Sequence, residues 1–416
     1  MRAFLEKWGI CLLLLLATTL NYLDRQTIGI LAPIIQREMR LDNEDLGWLF
    51  SVFYYSYTFA QFGVGLLLDR FSLRWLYGGA VLAWSAACAL TGLANGFFAL
   101  LGFRLLLGIT ESANWPGAMR IVARALPAEE RAMGNGLFTS GTSIGALIAP
   151  GIITSLADWL GWRPAFAAVG SLGAIWFLGW VLSTGSPRLK SVWLERPRVR
   201  PPESPARVYS AILGGRQFWR VFCVTILVNP CLYYFLNWLP TFLNQAHGLP
   251  LGAGMAKSLT AAYIGLDLGY LASGAGVIAL SRRGLSLRAA RRAVFLAATL
   301  LLGASAMVPW QRELGRVMPL VVVANFAIGI WIAMYLTLAQ EVNPEHVSAT
   351  AGLLGGSGSL AGALAMWAVG RITRQTDSFA IPFLAVTVAA VLAAVAGWQA
   401  SRGTPGDPVD SRPALR

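Results

Sequence analysis

Residues 65–76 read GLLLDRFSLRWL, a short charged segment between two long apolar stretches of the chain. Apolar stretches of about 20 residues are long enough to cross a bilayer as helices. Gly65, Asp69, Arg70 and Arg74 are spaced for a tight cytoplasmic turn between two such helices. Asp69 can accept hydrogen bonds from a helix N-terminus or pair with a facing arginine. We therefore predict that these four residues form a conformational latch.

The apolar character extends over the whole chain. Its 416 residues are 56% hydrophobic and only 13% charged, whereas a soluble protein carries about 25% charged residues. These values exclude a soluble enzyme, a disordered tail protein and a secreted disulfide scaffold. The net charge of +13 does not indicate a nucleic-acid partner, because the cations lie in short gaps between apolar stretches. Such a distribution is typical of membrane topology, so we expect an all-α protein in a lipid bilayer.

Twelve apolar stretches are long enough to span a membrane. They lie near residues 10–35, 46–68, 75–94, 97–119, 133–156, 164–184, 218–244, 256–280, 289–309, 317–340, 348–370 and 379–400. The long polar interruption at 185–217 is rich in proline and arginine. The prediction is therefore two pseudo-symmetric six-helix bundles, 1–184 and 218–400, joined by a cytoplasmic linker at 185–217 and followed by a cytoplasmic tail at 401–416.

The positions of the basic residues predict the orientation. With both termini placed in the cytoplasm, 23 of the 33 Lys and Arg lie in or beside cytoplasmic segments and eight in or beside extracytoplasmic ones. Cytoplasmic loops of membrane proteins carry an excess of Lys and Arg. We therefore expect a plasma (inner) membrane protein with both termini inside. We also expect a monomer.

A sequence repeat supports two related halves. The fifth predicted span reads GLFTSGTSIGAL from Gly136, and the eleventh reads GLLGGSGSLAGAL from Gly352. One inserted residue aligns the two stretches. Small residues at this spacing let helices approach closely in lipid, although they also occur in unrelated tightly packed membrane helices.

Five ionisable residues lie within the predicted spans. Placing each charged side chain in the bilayer costs about 2.5–3.5 kcal/mol or more, so we expect each to have a structural or functional role. They are Asp24, Arg25, Arg104, Glu111 and Asp267. Arg104 and Glu111 are seven residues apart, nearly two turns, so they face one side of a helix. Arg104 lies near a span end and can reach water. Glu111 lies deeper, where it serves either as a proton carrier or as one half of an ion pair that fastens two helices. Asp267 either couples ions or pairs with a polar neighbour.

Asp24 and Arg25 are adjacent and so point in directions about 100° apart on a helix. Tyr22 and Arg25 are three residues apart and share a face. A guanidinium beside a tyrosine hydroxyl suits an organic carboxylate, because the planar fork matches a carboxylate and stays charged. The alternative is that Arg25 neutralises Asp24 or Glu111. Because Asp24 adjoins Arg25, we expect Asp24 to stay ionised and Glu111 to protonate first.

Aromatic and amide side chains form a second group of candidates. The substrate-contact candidates among them are Tyr54 on span two and Tyr233, Tyr234, Asn237 and Trp238 on span seven. On span seven they form i,i+4 pairs, and the preceding Asn229-Pro230 suggests a broken or bent helix. Such groups can bind the hydroxyls of a polar ligand, although tyrosines in membrane helices usually pack or lie at the interface.

Cysteine and histidine give no sign of a metal site or a disulfide. The four cysteines, Cys11, Cys88, Cys223 and Cys231, lie in apolar stretches without a CxxC pair, and the two histidines are far apart. We expect no metal and no cofactor.

The motifs together resemble the anion:cation symporter branch of the major facilitator superfamily, over essentially the whole chain. The loop at 65–76 is similar to the GxLxDRxGRR signature, with matches at Gly65, Leu67, Asp69, Arg70 and Arg74, and with Ser72 and Leu73 replacing the usual Gly and Arg. The stretches NYLDR from Asn21, FRLLLGITESANWPGA from Phe103 and FTSGTSIGALIAP from Phe138 resemble the first, fourth and fifth helices of hexuronate members.

The resemblance implies roles for particular residues. Similar transporters move sugar acids or other organic anions with protons. It implies that Arg25 contacts the substrate carboxylate, that Asp24 and Glu111 exchange protons, and that Thr142 varies with substrate. We also count Arg104, from its place on the fourth span, among the substrate-binding candidates. The eleventh helix of such transporters often carries an asparagine that faces the sugar. This chain has Ser357 and Ser359 there instead.

We therefore expect a proton-coupled importer of a small organic anion, most simply a hexuronate or related sugar acid, that works by alternating access and is not an enzyme. The alternatives are a proton-driven exporter of anions or drugs, a monocarboxylate carrier, and a membrane receptor that transports nothing. A receptor predicts a soluble signalling domain or a long tail, which the sequence lacks.

Overall fold

The structure is a computed structural model that describes residues 2–126, 131–185, 205–343 and 347–400. The described residues are almost entirely helical, in agreement with the predicted all-α class. The helices, numbered along the chain, are α1 (Arg2–Met39), α2 (Asn43–Arg70), α3 (Leu73–Thr91), α4 (Phe97–Glu111), α5 (Asn114–Ala125), α6 (Arg131–Leu160), α7 (Trp162–Thr184), α8 (Pro205–Leu213), α9 (Arg216–His247), α10 (Ala253–Arg282), α11 (Leu287–Leu302), α12 (Leu314–Val342), α13 (Val347–Thr376) and α14 (Ala380–Ala400). A 3₁₀ helix, Gly303–Trp310, continues α11.

Length and hydropathy qualify ten segments of the described residues as candidate membrane spans. The first two predicted spans, which form α1 and α2, are not among these ten. Both helices carry many polar side chains, including Asp24 and Arg25 in α1 and a tyrosine-rich stretch in α2. Composition alone therefore does not reproduce the count of twelve.

The course of two helices differs from the sequence prediction. Of the broken or bent helix predicted at Asn229-Pro230, the break is absent, because α9 runs through both Pro230 and Pro240. The Asn229 side chain donates to the Thr225 carbonyl at 3.0 Å, one turn earlier in the same helix. The fourth span, by contrast, has a short interruption of helical hydrogen bonding directly after Glu111, where α4 ends and α5 begins at Asn114, although Ser112 and Ala113 keep right-handed helical backbone angles.

Contacts from α3 hold this interruption in place. The Tyr77 hydroxyl donates to Asn114 Oδ1 at 2.9 Å, and both residues are buried. A Cβ on Gly117 would lie 2.5 Å from the Tyr77 ring, so glycine is required for α5 to pack there. The interruption therefore lies beside Glu111, inside the protein and within one continuous candidate span, Phe97–Val122.

The repeated small-residue stretches pack equivalent helices together. In α6, a Cβ on Gly141 would lie 2.5 Å from the Leu15 carbonyl oxygen, and one on Gly145 would lie 2.7 Å from that of Thr19. In α13, a Cβ on Gly358 would lie 2.7 Å from the Asn229 amide, and one on Gly362 would lie 2.1 Å from the Tyr233 ring. The sequence alignment pairs Gly141 with Gly358 and Gly145 with Gly362. The repeat thus presses the fifth span onto the first and the eleventh onto the seventh.

Helices α1–α7 form what we call the N-terminal helix group, and α9–α14 form the C-terminal helix group. Among the described residues, the most extensive packing between the two groups joins α2 with α13, α6 with α10 and α1 with α9. The α2–α13 pair is very close, since a Cβ on Gly370 would lie 2.3 Å from the Asn43 carbonyl oxygen. This contact lies near the first residues of α2 and the last residues of α13.

Polar contacts seal the same end of the molecule, which we call the closed end. Arg374 lies 3.0 Å from Asp42 and 2.5 Å from Glu44, and both ion pairs cross between the helix groups. The amide nitrogen of Gln245 donates to Asn43 at 2.9 Å and to Gln36 at 3.3 Å. A cleft of about 560 Å³ opens beside these residues.

An additional contact at this end lies within the N-terminal helix group. Trp162 and Arg163, at the start of α7, both donate hydrogen bonds to the carboxylate of Glu38. The pKa of Glu38 is lowered mainly by the hydrogen bond from Trp162 and next by the one from Arg163. Hydrogen bonds to a carboxylate favour its charged form, so this junction between α1 and α7 keeps its ionic character.

Candidate functional site

An ion pair between α1 and α4 lies at the centre of the candidate site. Nε and Nη2 of Arg25 donate to the same oxygen of Glu111, at 3.0 and 2.8 Å. The Glu111 side chain is fully buried, whereas that of Arg25 is 14% exposed. Asn21, one turn before Arg25 on α1, accepts from Nη2 at 3.5 Å. Of the two partners that the sequence left open for Arg25, the structure therefore shows Glu111.

Three aromatic rings surround the guanidinium of Arg25. Its central carbon lies 5.1 Å from the centroid of Tyr22, 4.9 Å from Phe53 and 5.2 Å from Tyr57. Rings at these distances attract a cation through their negative faces. Tyr22 lies beside Arg25, as their spacing predicts, and the rings confine the guanidinium to a fixed position.

Asp24 occupies a different environment, although it adjoins Arg25 in sequence. It is 2% exposed, and its Oδ2 accepts from the Ser85 hydroxyl of α3 at 3.3 Å. The Cys88 thiol is a further hydrogen-bond partner, while Oδ1 has none among the described residues. The premise that Asp24 is the carboxylate nearer an arginine is thus wrong. Because Glu111, and not Asp24, contacts Arg25, the argument from the nearby arginine no longer predicts that Glu111 protonates first.

Arg104 is buried rather than extended to water, contrary to the expectation from its place near a span end. It is 2% exposed, and its Nε donates only a long bond, 3.4 Å, to the Leu49 carbonyl. Its two terminal nitrogens have no hydrogen-bond partner among the described residues. Its guanidinium carbon lies 4.6 Å from the centroid of Phe53, the ring that also contacts Arg25. Two guanidiniums therefore flank one phenylalanine.

Polar side chains of the C-terminal helix group face this centre. The rings of Tyr54 and Tyr233 stack at 4.2 Å across the two groups, and Asn237 donates to the Tyr54 hydroxyl at 3.1 Å. The Tyr233 hydroxyl lies 3.4 Å from the Ser359 hydroxyl. Four of the residues proposed as substrate contacts, Tyr54, Tyr233, Asn237 and Ser359, thus form one connected network.

Four other proposed contacts lie outside this network. Tyr234 packs its ring 5.2 Å from Phe383, and Trp238 packs 5.4 Å from Phe50 with no exposed surface. The hydroxyls of Thr142 and Ser357 donate to carbonyls of their own helices, at 2.8 and 2.7 Å.

Asp267 lies at the middle of α10, where the two helix groups meet. Gly265 and Gly269 press α10 against α12, since their Cβ atoms would lie 2.7 Å from the Val322 carbonyl oxygen and 2.0 Å from that of Phe326. Asp267 lies between these glycines in sequence, so it points about 200° away from each of them on the helix. Its carboxyl group accepts from Ser143 of α6, in the other helix group.

Of the proposed latch, the structure describes the side chain of Arg74. Its Nε donates to the Thr184 hydroxyl and its Nη2 to the Val181 carbonyl, each at 2.9 Å. These bonds tie the start of α3 to the end of α7. Gly65, Asp69 and Arg70 belong to the last turns of α2, and their side-chain placement lies outside the described residues.

Several residues of this centre were not among the candidates from sequence. Ser85 and Cys88 contact Asp24, Phe53 lies between two arginines, and Tyr335 hydrogen-bonds Asn229. Small polar and aromatic residues are common in membrane helices, so nothing in their local sequence distinguishes them from packing residues. Only their contacts with charged or polar side chains of other helices identify them.

With this geometry established, comparison with known proteins identifies the family. A model described as Major Facilitator Superfamily matches residues 14–366. The chain belongs to the Major Facilitator Superfamily. It is 27% identical to the "Probable galactarate/D-glucarate transporter" of Bacillus subtilis (strain 168), over 93% of this chain and 90% of that protein. It is also 27% identical to the "Hexuronate transporter" of Escherichia coli (strain K12), over 96% of this chain and 95% of that protein.

The fold of this superfamily member also matches a solved structure. A bacterial homolog to the human lysosomal transporter Spinster superposes with a TM-score of 0.76 and 21% identity, covering 95% of this chain and 97% of that one. The predicted membership in the superfamily is confirmed, and the described residues have an all-helical fold that matches a transporter of known structure. The protein is thus a member of a transporter family and not an enzyme.

Proposed function

We propose that this Major Facilitator Superfamily member is a proton-coupled symporter that imports a sugar acid, such as a hexuronate or an aldarate. In this proposal twelve spans form two six-helix bundles, 1–184 and 218–400, with the linker and both termini in the cytoplasm. The bundles rock about a central site in alternating access. The similarity of the chain to a galactarate/D-glucarate transporter and a hexuronate transporter supports a sugar-acid anion as the cargo.

The observation that carries the proposal is the ion pair between Arg25 and Glu111. Arg25 is the partly exposed cation of the site, and its planar fork suits a carboxylate. Glu111 occupies that fork from inside the protein. A substrate carboxylate must therefore compete with Glu111 for the same two donors.

Competition of this kind couples protons to substrate. A proton on Glu111 removes the negative charge that holds Arg25, which frees the guanidinium for the anion. Binding of the anion to Arg25 in turn leaves Glu111 without its cation and so favours its protonated form. Proton and substrate therefore promote each other's binding, as thermodynamic linkage requires. Asp24, buried without a cation in contact, is the second proposed proton carrier, and Asp267 is a third candidate at the junction of the groups.

The rest of the site suits the hydroxyl groups of a sugar acid. The hydroxyls of Tyr54, Tyr233 and Ser359 and the amide of Asn237 lie in one network opposite Arg25. Each of these groups can donate or accept a hydrogen bond. We propose that Arg25 binds the carboxylate, that this network binds the hydroxyls, and that the unpartnered nitrogens of Arg104 add positive charge to the site.

A panel of ligands tests the substrate class. Purified protein is heated with D-glucuronate, D-galacturonate, D-galactonate, D-glucarate and lactate, and the rise in Tm is compared, because a ligand that binds the native state stabilises it. We expect stabilisation by one or more sugar acids and none by lactate. Stabilisation by lactate alone would favour a monocarboxylate carrier.

Proteoliposomes test the direction and the coupling. Right-side-out vesicles with an acidic exterior should accumulate the sugar acid that stabilises the protein, and a protonophore should abolish the accumulation. An exporter would instead expel preloaded sugar acid under the same gradient. A receptor would show binding without flux in either direction.

A further inference from the structure

The residues around Asp24 suggest a role for α3 that the proposed function does not include. Asp24 and Ser85 are each at most 2% exposed, and Cys88 has no exposed surface. The Ser85 hydroxyl donates to Oδ2 of Asp24 at 3.3 Å, and the Cys88 thiol is its other side-chain partner. Oδ1 of Asp24 has no partner among the described residues. The carboxyl group is therefore held by α3 alone, on a side away from Arg25.

Two glycines of α7 fix the position of Ser85. A Cβ on Gly173 would lie 1.9 Å from the Ser85 hydroxyl oxygen, and one on Gly170 would lie 2.4 Å from the Ser85 carbonyl oxygen. Any larger residue at these positions would displace α3 or turn the Ser85 side chain. The absence of a side chain at these two positions of α7 therefore allows the Ser85 hydroxyl to lie against Asp24.

The charged groups near Asp24 leave it responsive to these hydrogen bonds. Glu111 of α4 and the Cys88 thiol of α3 are the titratable groups that act on it. Arg25 is engaged with Glu111, and Arg104 of α4 acts on Cys88. With no cation among the described residues bonded to Asp24, a donated hydrogen bond is the main local interaction that favours the ionised carboxylate.

We infer that Ser85 and Cys88 are positioning residues that set the pH range over which Asp24 takes up and releases its proton, and that Gly173 holds Ser85 in place. The inference rests on the proposed function in taking Asp24 as a proton carrier. Ser85 supplies the stronger bond, since a thiol is a weak donor. The three residues act through Asp24 and do not contact the substrate.

Infrared difference spectroscopy of the purified protein tests this without any ligand. The carboxylic C=O band of protonated Asp24 is assigned as the band that Asp24→Asn removes, and its titration midpoint is followed with pH. Ser85→Ala should move the midpoint upward by roughly half a pH unit to one unit, the worth of one hydrogen bond. Cys88→Ala should move it in the same direction by less.

Gly173→Ala provides an independent variant that keeps the serine. Its new Cβ displaces Ser85, so the midpoint should rise as in Ser85→Ala. Gly179→Ala, on the same helix with no atom within 4 Å of the added Cβ, is the matched control. Ser171→Ala, an exposed serine of α7, is the control for Ser85→Ala. Neither control should move the midpoint.

The outcomes separate this inference from the proposed function. If Asp24→Asn removes no titrating band, Asp24 carries no proton, and the assignment of Asp24 in the proposed function fails together with the inference. If Asp24→Asn removes a band but Gly173→Ala and Ser85→Ala leave its midpoint unchanged, the inference alone is wrong. Should Ser85→Ala fail to fold, Gly173→Ala and Cys88→Ala still decide the question.

Discussion

Both Nε and Nη2 of Arg25 bind one oxygen of Glu111, Oε2, while the other oxygen has no partner among the described residues. The pair joins residues 86 positions apart and connects α1 with the last residue of α4. The Asn21 side chain is a further hydrogen-bond partner of the carboxylate, and the Arg25 fork is not engaged in the bidentate form with two oxygens. An incoming carboxylate that offers two oxygens can form the stronger bidentate arrangement.

The first prediction concerns Arg25. Arg25→Lys keeps the charge but loses the planar fork, so a bidentate carboxylate cannot form. We expect sugar-acid affinity to fall by about tenfold to a hundredfold, as the loss of a charge-assisted hydrogen bond implies. The measurement is the ligand concentration that gives half of the maximal Tm rise. Arg312→Lys, at an exposed position, is the control, and equal affinity of Arg25→Lys and the parent would show that Arg25 is structural.

The second prediction concerns Glu111. Glu111→Gln mimics the protonated side chain and leaves Arg25 without its competitor. We expect the variant to bind sugar acid at least as tightly as the parent and to exchange it across the membrane in counterflow. It should not concentrate sugar acid when the inside is alkaline, because its binding no longer depends on a proton.

Proteoliposome uptake with an imposed pH gradient, run beside counterflow, measures both properties of Glu111→Gln. Asp24→Asn is compared in the same assay. Accumulation by Glu111→Gln at the level of the parent would contradict an essential proton role for Glu111 and would leave Asp24 and Asp267 to be tested.

The candidate site could be predicted from sequence only in part. Residue spacing along one helix correctly placed Tyr22 beside Arg25. It could not pair Arg25 with Glu111, because that contact depends on how α1 packs against α4. Adjacency in sequence pointed instead to Asp24, yet neighbouring residues on a helix point about 100° apart. Asp24 therefore faces Ser85 on α3.

The same limit applies to the seventh span. Tyr233 and Asn237 share a face and contact Tyr54 or Ser359, whereas Tyr234 and Trp238 share the next face and pack against other aromatic rings. Both pairs have the i,i+4 spacing, so the spacing does not show which pair faces the site. Which face is directed to the site depends on the neighbouring helices. The glycine repeat, in contrast, was readable from sequence because close helix packing requires small residues.

The third prediction concerns that repeat. In Gly141→Ala the added Cβ would meet a backbone oxygen of α1 at 2.5 Å, which no side-chain rotation can relieve. We expect a loss of stability of about 1–3 kcal/mol, the usual cost of overpacking, seen as a lower Tm. Gly151→Ala on the same helix, with no atom within 4 Å of the added Cβ, should melt like the parent. Equal Tm values for the two variants would contradict the packing role of Gly141.

The fourth prediction concerns the closed end, where Arg374 pairs with Asp42 and Glu44 across the helix groups. Alternating access requires these contacts to break when this end opens. We expect a disulfide between Asn43→Cys and Gln245→Cys, whose side chains are hydrogen-bonded at 2.9 Å, to stop uptake and reduction to restore it. The exposed native Cys223 is replaced by serine in this background. Uptake that continues with the disulfide formed would show that this end does not open.

Removal of the Arg374 ion pairs tests how much they contribute to holding the closed end shut. Arg374→Ala should slow disulfide formation by roughly twofold to fivefold, because exposed ion pairs contribute about 0.2–1 kcal/mol each and their loss lets the helix groups separate more often. Arg316→Ala is the matched control, since Arg316 forms an exposed ion pair with Glu313 within the C-terminal helix group, at 3.2 Å. The rate of disulfide formation, followed by gel mobility at fixed oxidant concentration, should be unchanged in this control. If Arg374→Ala also matches the double-cysteine parent, the close packing of Gly47 and Gly370 holds the end shut without the ion pairs.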